Sequence, residues 1–221
     1  MIIGVKNVEI LYEDEYIIIV NKPAGLAVQG GKEVKTSLDK LLAEIRSPAP
    51  LLVHRLDKDT SGVLLAAKGR EAAARFSKII SGRQAVKKYI AVCAGRPVNN
   101  EGVIKDELLI RGSLKKSETK YKVIQNPSML ETGETGTEYT VLELELGTGR
   151  MHQIRRHLAM SGNPVLGDGK YGDFSLNKKL HKTAGLKRLL LHASRLAIKG
   201  DVNIDIYAPL PVDFNRYFFQ N

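Results

Sequence analysis

Apolar and polar positions follow two periods along the chain, and these periods separate strands from helices. Short apolar or alternating runs predict strands at residues 16–20, 62–67, 85–94, 140–146, 189–198 and 202–207. Apolar residues at helical spacing predict helices at residues 36–45, 71–80 and 151–161, and Pro211 suits the first turn of a C-terminal helix. Because strands outnumber helices and few strand-helix-strand units occur, we expect an α+β fold: a mostly antiparallel mixed sheet flanked by helices and loops.

Two long segments lack a clear period. Residues 99–136 and 172–187 are polar and basic, and we expect loops there. No internal repeat or low-complexity tract divides the 221 residues. The sequence therefore predicts one domain over residues 1–221, which is long enough to bury a core.

The net charge of the chain indicates which class of partner it could bind. There are 34 Lys and Arg against 24 Asp and Glu, a formal net charge of +10. A domain this basic is a candidate for a polyanionic partner such as nucleic acid, although charge can also serve solubility alone. Cys93 is the single cysteine, and the sequence has no membrane-length apolar run. Residues 1–11 contain no basic region followed by an apolar core, so we expect no signal peptide. We therefore expect a cytoplasmic protein without an internal disulfide.

Three segments concentrate reactive side chains, and each also has a purely structural interpretation. A polar loop from His54 to Gly62 lies between apolar segments, where Asp and Gly could simply form a turn. Residues 147–157 form a Gly-rich turn and a basic helix, whose charged face could simply be solvated. Tyr89, in the strand at residues 85–94, could be an ordinary core aromatic.

Other chemistries do not fit the sequence. His152 and His157 are five residues apart, which does not place them on one helical face, so we expect no metal site. A phosphate-binding loop around Gly167 fails because Pro164 and Tyr171 occupy positions that need Gly and Ser or Thr.

Six motifs in order resemble the RluA-type family of RNA pseudouridine synthases. They cover about residues 8–219 and are Asn-Lys-Pro-Ala-Gly at 21–25, His-Arg-Leu-Asp-x-x-Thr-Ser-Gly at 54–62, Lys-x-Tyr-x-Ala at 87–91, Gly-Arg-x-His-Gln-Ile-Arg at 149–155 with Pro-x-x-Gly-Asp-x-x-Tyr at 164–171, Leu-x-His-Ala-x-x-Leu at 190–196, and Ala-Pro-Leu-Pro at 208–211. There are two departures from the family pattern. The motifs begin close to the first residue, so we expect no N-terminal RNA-binding module of the kind that many relatives carry, and residues 197–200 replace the usual Phe-x-His-Pro. The structural interpretations would have to hold jointly to explain this match.

The resemblance implies an α+β pseudouridine-synthase fold and a set of roles. Asp57 would be the essential carboxylate, Arg155 its cationic partner and Tyr89 a stacking residue that could assist proton transfer. Arg55 would steady the flipped uridine. The other expected substrate-binding residues are His54, Lys87, Arg150, His152, Gln153 and Arg156, and Lys170 is a further candidate phosphate contact.

The resemblance also sets the expected partners. The substrate would be transfer RNA or large-subunit ribosomal RNA, the protein a monomer, and the reaction free of cofactor and metal because no redox change occurs. Two alternatives stay open: a non-catalytic RNA-binding or ribosome-assembly protein, and a nucleoside hydrolase or other glycosidase. An intact set of Asp57, Tyr89 and Arg155 argues against the first, and the basic charge argues against the second.

Overall fold

The computed structural model describes residues 8–31, 34–82, 84–110, 112–130 and 136–218. The elements, in chain order, are β1 (Glu9–Glu13), β2 (Ile17–Lys22), α1 (Leu38–Ile45), β3 (Leu51–Leu52), β4 (Ser61–Ala67), α2 (Arg70–Ser81), β5 (Ala85–Ala94), β6 (Glu101–Ile110), β7 (Ser113–Leu130), β8 (Thr137–Leu146), α3 (Gln153–Met160), α4 (Phe174–Thr183), β9 (Leu191–Ile198), β10 (Ile204–Tyr207), a 3₁₀ turn (Val212–Phe214) and α5 (Asn215–Phe218). Within this described part, no helix has the length and hydropathy needed to cross a membrane.

The chain forms two compact units. Unit 1 comprises Met1–Lys87 and Ala193–Pro209, and unit 2 comprises Lys88–His192 and Leu210–Asn221. The expectation of one domain over the whole chain stays a prediction.

Unit 1 is built on antiparallel pairs. β2 pairs with β1 on one side and β4 on the other, β3 pairs with β4, and β10 pairs with β9. Every residue of β4 is buried, as expected for a nearly continuous apolar run. Phe76 of α2, 1% exposed, joins Ile19 and Leu65 in the core of this unit. Burial of an aromatic side chain of this size stabilises a fold by roughly 1.5–3 kcal/mol.

Unit 2 is also an antiparallel arrangement. β8 pairs with β5 and β7, and β6 pairs with β7 over ten residues. Its core includes Val92, Tyr139 and Phe214, all fully buried. The predicted α+β class and the mostly antiparallel pairing are confirmed, and so are the six predicted strands and three predicted internal helices.

The expectation of loops at residues 99–136 was wrong for most of that segment, which forms the β6–β7 hairpin. Its polar residues oppose one another in pairs of opposite charge: Lys105 faces Glu118, and Glu107 faces Lys116. Such pairs stabilise a ladder although neither strand is apolar. Residues 131–135 lie outside the described part.

The expectation of a loop at residues 172–187 was also wrong, because α4 occupies its centre. The Asp173 carboxylate accepts the N–H of Leu176 at 2.9 Å and caps the helix, and Leu180 is fully buried. The third predicted helix begins at Gln153 rather than Met151, because His152 has a left-handed backbone with φ of 53°.

Candidate active site

The loop that carries Asp57 leads directly into β4 and is anchored on both sides of the aspartate. Leu56 is 4% exposed, and Thr60 and Ser61 are each 2% exposed. The N–H of Thr60 donates to the Asp57 carbonyl at 3.2 Å and closes a tight turn. Asp57 itself is half-buried, so a short, fixed loop presents its carboxylate.

A buried lysine ties this loop to the end of β2. Nζ of Lys22, a fully buried residue, donates to the carbonyls of Pro23 (2.8 Å), Leu26 (2.9 Å) and Lys58 (2.9 Å). These three bonds match the three donors of an ammonium group. The N–H of Gly25 also donates to the Lys58 carbonyl at 2.9 Å. The carbonyl of Lys58, the residue that follows Asp57, therefore accepts two hydrogen bonds, one from Lys22 and one from Gly25.

The end of the loop requires glycine. Gly62 has a φ of 114°, and a Cβ there would overlap the carbonyl oxygen of Ala193. Both residues belong to unit 1. Any side chain at position 62 would therefore displace the start of β4, five residues after Asp57.

The predicted contacts His54 and Lys87 make bonds within unit 1. Nε2 of His54 accepts the N–H of Leu65 in β4 at 3.0 Å. Burial and the nearby Lys87 charge lower the pKa of His54 to about 4, so the imidazole is neutral at pH 7. Nζ of Lys87 donates to the Ile80 carbonyl at 2.9 Å, and burial lowers its pKa. Arg55 is exposed, and contact of all three residues with substrate stays a prediction.

Unit 2 holds the remaining predicted residues. Tyr89, 8% exposed, lies in β5 directly opposite Leu144 of β8, and Leu144 in turn lies opposite Tyr121 of β7. Directly opposed residues project from the same face of a sheet. The Tyr89 side chain therefore belongs to the same face as these two neighbours.

Gln153 fixes the turn before α3. Its Oε1 accepts the hydroxyl of Thr148 at 2.7 Å and the N–H of Arg150 at 3.0 Å. Its Nε2 donates to the Glu118 carbonyl in β7 at 2.8 Å. The amide thus binds protein groups at both ends, whereas the Arg150 side chain is exposed.

Arg155 forms a buried ion pair with Asp168. Nε donates to Oδ2 and Nη2 to Oδ1, each at 2.7 Å, and the side chains are 8% and 1% exposed. Oδ1 also accepts the backbone N–H groups of Lys170 (2.8 Å) and Tyr171 (3.0 Å). Burial raises the pKa of Asp168, but these bonds outweigh it and leave the pKa below its ordinary value. The expected pairing of Arg155 with Asp57 stays a prediction.

Tyr171 brings two predicted site residues together. The Arg155 guanidinium lies 5.2 Å from the centre of the Tyr171 ring, and the Lys170 ammonium lies 5.5 Å from it. Nδ1 of His152 is 3.0 Å from the Tyr171 hydroxyl. The ring therefore contacts cations through its face and the imidazole through its hydroxyl.

A second close approach precedes Asp168. Gly167 has a φ of 76°, and a Cβ there would overlap the carbonyl oxygen of Arg188. Its N–H donates to Oδ1 of Asn177 in α4 at 2.9 Å. The backbone before the aspartate is thus fixed in the same way as the end of the Asp57 loop.

The structure therefore places the predicted residues in two groups. Unit 1 holds His54, Arg55, Asp57 and Lys87, and unit 2 holds Tyr89, Arg150, His152, Gln153, Arg155 and Arg156. Lys22, Asp168 and Tyr171 were not predicted to have a role, although all three lie in the motifs at residues 21–25 and 164–171. Across the described ranges, no group of three or more His, Cys, Asp or Glu side chains could hold a metal ion.

Comparisons with known proteins agree along most of the chain. A sequence profile described as RNA pseudouridylate synthase matches residues 16–160. "Ribosomal large subunit pseudouridine synthase C" of Rickettsia prowazekii is 34% identical over 223 residues, covering 94% of this chain and 69% of that protein. The protein of the same name from Rickettsia bellii is 36% identical, covering 94% and 70%. The solved structure "Human RNA Pseudouridylate Synthase Domain Containing 1" is 27% identical, with a TM-score of 0.76 over 93% of this chain and 84% of that chain.

Proposed function

Because the chain belongs to the RNA pseudouridylate synthase family, and is therefore an isomerase that acts on RNA, we propose that it converts uridines of large-subunit ribosomal RNA to pseudouridine, with Asp57 as the essential carboxylate. The family resemblance and the fold predicted from it are confirmed. One observation carries the choice of RNA: the two Rickettsia relatives named for the large ribosomal subunit match 94% of this chain.

The reaction sets the demands on the residues. The bond between ribose C1′ and uracil N1 breaks, the base turns, and C1′ joins C5 of the same base. The C5 proton leaves and N1 gains a proton, so the step balances without an oxidant or reductant. A carboxylate promotes such a step by attacking the substrate or by stabilising the charge that develops. Either role requires Asp57 to be ionised.

The geometry around Asp57 supports this assignment. A catalytic carboxylate needs a backbone that does not shift during the reaction. The turn to Thr60, the Lys22 bond to Lys58 and the close approach at Gly62 all restrict the Asp57 backbone. A carboxylate in an ordinary solvated turn would need none of these restraints.

The other roles follow the resemblance. Tyr89 stacks on the target base, a contact worth roughly 1–3 kcal/mol. Arg55 steadies a uridine that has left its helix, an extrusion that costs a few kcal/mol. Arg155 supplies the fixed positive charge, and Arg150, Arg156 and Lys170 contact phosphates.

Release of tritium from C5 of uridine tests the function. A large-subunit ribosomal RNA fragment and a transfer RNA transcript, both labelled at C5, are incubated with the wild-type protein and with Asp57→Asn. We expect release from the ribosomal fragment only, and none from the variant, whose RNA affinity stays within a few-fold. Release from the transfer RNA alone would reject the proposed substrate, and substantial turnover by Asp57→Asn would reject the role of Asp57.

A further inference from the structure

A buried hydrogen-bond network beneath α3 includes a histidine to which the reaction gives no role. His157 is fully buried, and Ser117, Thr119 and Gln153 are 4%, 0% and 3% exposed. Nε2 of His157 lies 2.8 Å from the Ser117 hydroxyl, and Nδ1 lies 2.9 Å from the Thr119 hydroxyl. Both ring nitrogens therefore bind side chains of β7.

The donor and the acceptor in each hydrogen bond of His157 can be assigned, because some of the partner groups can take only one of these two roles. The Ser117 hydroxyl donates to the Asp106 carbonyl at 2.8 Å, so its only proton is used there. It must accept from His157, and Nε2 therefore carries the imidazole proton. Burial lowers the pKa of His157, although Asp106 opposes the effect, so the ring is neutral and Nδ1 accepts the Thr119 proton.

Gln153 completes the same network. Its Nε2 donates to the Thr119 hydroxyl at 3.0 Å, so that oxygen accepts from Gln153 and donates to His157. A protonated His157 would direct an N–H at Thr119 and leave the Thr119 proton without this acceptor. The network is therefore consistent only with the neutral Nε2–H form of His157.

We propose that His157 is a positioning residue for the reaction: in its neutral Nε2–H form it fixes α3 on β7 and thereby sets where Arg155 stands. Gln153 and His157 are four residues apart, so they project from the same face of α3. Both side chains bind the Thr119 hydroxyl of β7. This shared contact fixes the position of α3 along β7 as well as its distance from β7. Apolar packing by Ile154 and Leu158 alone would specify that register less sharply.

Arg155 lies on the opposite side of α3, two residues from both Gln153 and His157. Its guanidinium reaches Asp168 only if α3 is correctly placed along β7, because both hydrogen bonds of the ion pair are short, at 2.7 Å. An error of about 1 Å in the placement of a reacting group can slow an enzyme about 100-fold. This inference rests on the proposed role of Arg155.

Two substitutions separate positioning from space filling. His157→Gln keeps a donor that can reach Ser117, whereas His157→Leu fills the site and loses both bonds. We expect His157→Leu to lower the single-turnover rate about 10–100-fold and His157→Gln to lower it only a few-fold, with RNA affinity unchanged in both. If His157 only fills space, the order reverses, because leucine suits a buried site better than an amide. Ser117→Ala, which removes the acceptor of Nε2–H, replaces His157→Leu if that variant does not fold.

The Arg155 Nε–H resonance in the free protein gives a readout that needs no RNA. We expect it to shift and to exchange faster in His157→Leu, and less so in His157→Gln. The control is Leu158→Ala, which loosens α3 without touching the network and should lower Tm without moving that resonance. An unchanged Arg155 resonance in both His157 variants, or an equal shift in Leu158→Ala, would overturn the inference. Absence of tritium release by the wild-type protein would instead reject the proposed substrate, and the resonance would still decide the role of His157.

Discussion

Arg155 and Asp168 form a two-bond ion pair that is almost fully buried, and a pair of the same geometry lies at the surface in unit 1. Arg195 binds Asp205 through Nε at 2.6 Å and Nη2 at 2.7 Å, but Asp205 is half-exposed. The two pairs differ in solvation, which decides how much each contributes to stability.

Substitution of either aspartate by asparagine tests this difference. Asp168→Asn removes the charge of one partner from a buried ion pair, which costs about 3–5 kcal/mol. For a chain of this size, that corresponds to a fall in Tm of roughly 6–20 °C. Asp205→Asn, the matched control, should leave Tm close to that of the wild type. Equal effects in calorimetry would show that burial does not distinguish the pairs.

Lys22→Met should destabilise unit 1 and slow the reaction. The variant keeps the length of the side chain but removes the donor from three carbonyls, including that of Lys58. The carbonyls of Pro23 and Leu26 lose this donor, whereas that of Lys58 keeps the Gly25 N–H, and a buried carbonyl left without a donor costs about 1–3 kcal/mol. Denaturant unfolding and tritium release measure the two effects.

Lys58→Ala is the control for this prediction, because its exposed side chain is lost while the carbonyl that Lys22 binds remains. Its unfolding free energy should match that of the wild type. If Lys22→Met also unfolds like the wild type, the buried ammonium does not hold the loop.

The stability of the protein should fall between pH 6.5 and pH 4 because of His54. Its pKa in the folded state is about 4, whereas an unfolded histidine titrates near 6.5, so the unfolded chain binds more protons across this interval. The stabilisation is fully present above about pH 6.5 and is lost as the pH approaches 4. The difference of about 2.5 pKa units corresponds to roughly 3 kcal/mol.

His54→Gln isolates this contribution, since the amide oxygen can accept the Leu65 N–H but cannot titrate. Urea unfolding at several pH values should give a flatter curve for the variant over the same interval. His157, whose pKa is also lowered, acts in the same direction in both proteins and cancels in the comparison. Parallel curves for the two proteins would mean that His54 takes up its proton equally in both states.

Arg156→Ala should make RNA binding less sensitive to salt. Arg156 is half-buried, and its Nη1 donates to the Leu109 carbonyl at 3.3 Å in an exposed setting. Each phosphate contact to single-stranded RNA contributes about −0.7 to the slope of log K against log salt. We expect a slope shallower by about that amount and an unchanged maximal rate.

Lys199→Ala is the matched variant for this prediction, because it removes one exposed positive charge from the turn between β9 and β10. Binding titrations at four or more salt concentrations should give it the wild-type slope. The same change of slope in both variants would indicate a general charge effect rather than a contact.

The elements that the sequence predicted well are those whose pattern is local. β5 was predicted at its observed bounds because eight of its ten residues are apolar and three of these are β-branched. The β6–β7 hairpin was missed because its stability lies in pairs such as Lys105 with Glu118, which are thirteen residues apart. A charged strand and a charged loop look alike until the partner strand is known.

The candidate site divides in the same way. Asp57, Tyr89 and Arg155 could be named from motifs, but the ion pair of Arg155 with Asp168 depends on how the chain returns after α3. A signal for Lys22 was present, because a lysine that ends a strand of four buried apolar residues and one asparagine needs buried acceptors. The left-handed His152, by contrast, gives no sign in the sequence.

The close approaches at Gly62 and Gly167 affect how the gene tolerates change. At both positions a methyl group would meet a backbone carbonyl oxygen, which cannot move aside as a side chain can. In a survey of every single substitution, scored by tritium release from C5 of uridine, these two positions should therefore be as intolerant as Asp57, although glycine has no functional group to offer an RNA. Positions that tolerate no replacement would then include spacer glycines, which only leave room for a neighbouring carbonyl, as well as residues that take part in the reaction. Purified protein separates the two classes, since a spacer variant loses its fold and a catalytic variant keeps it.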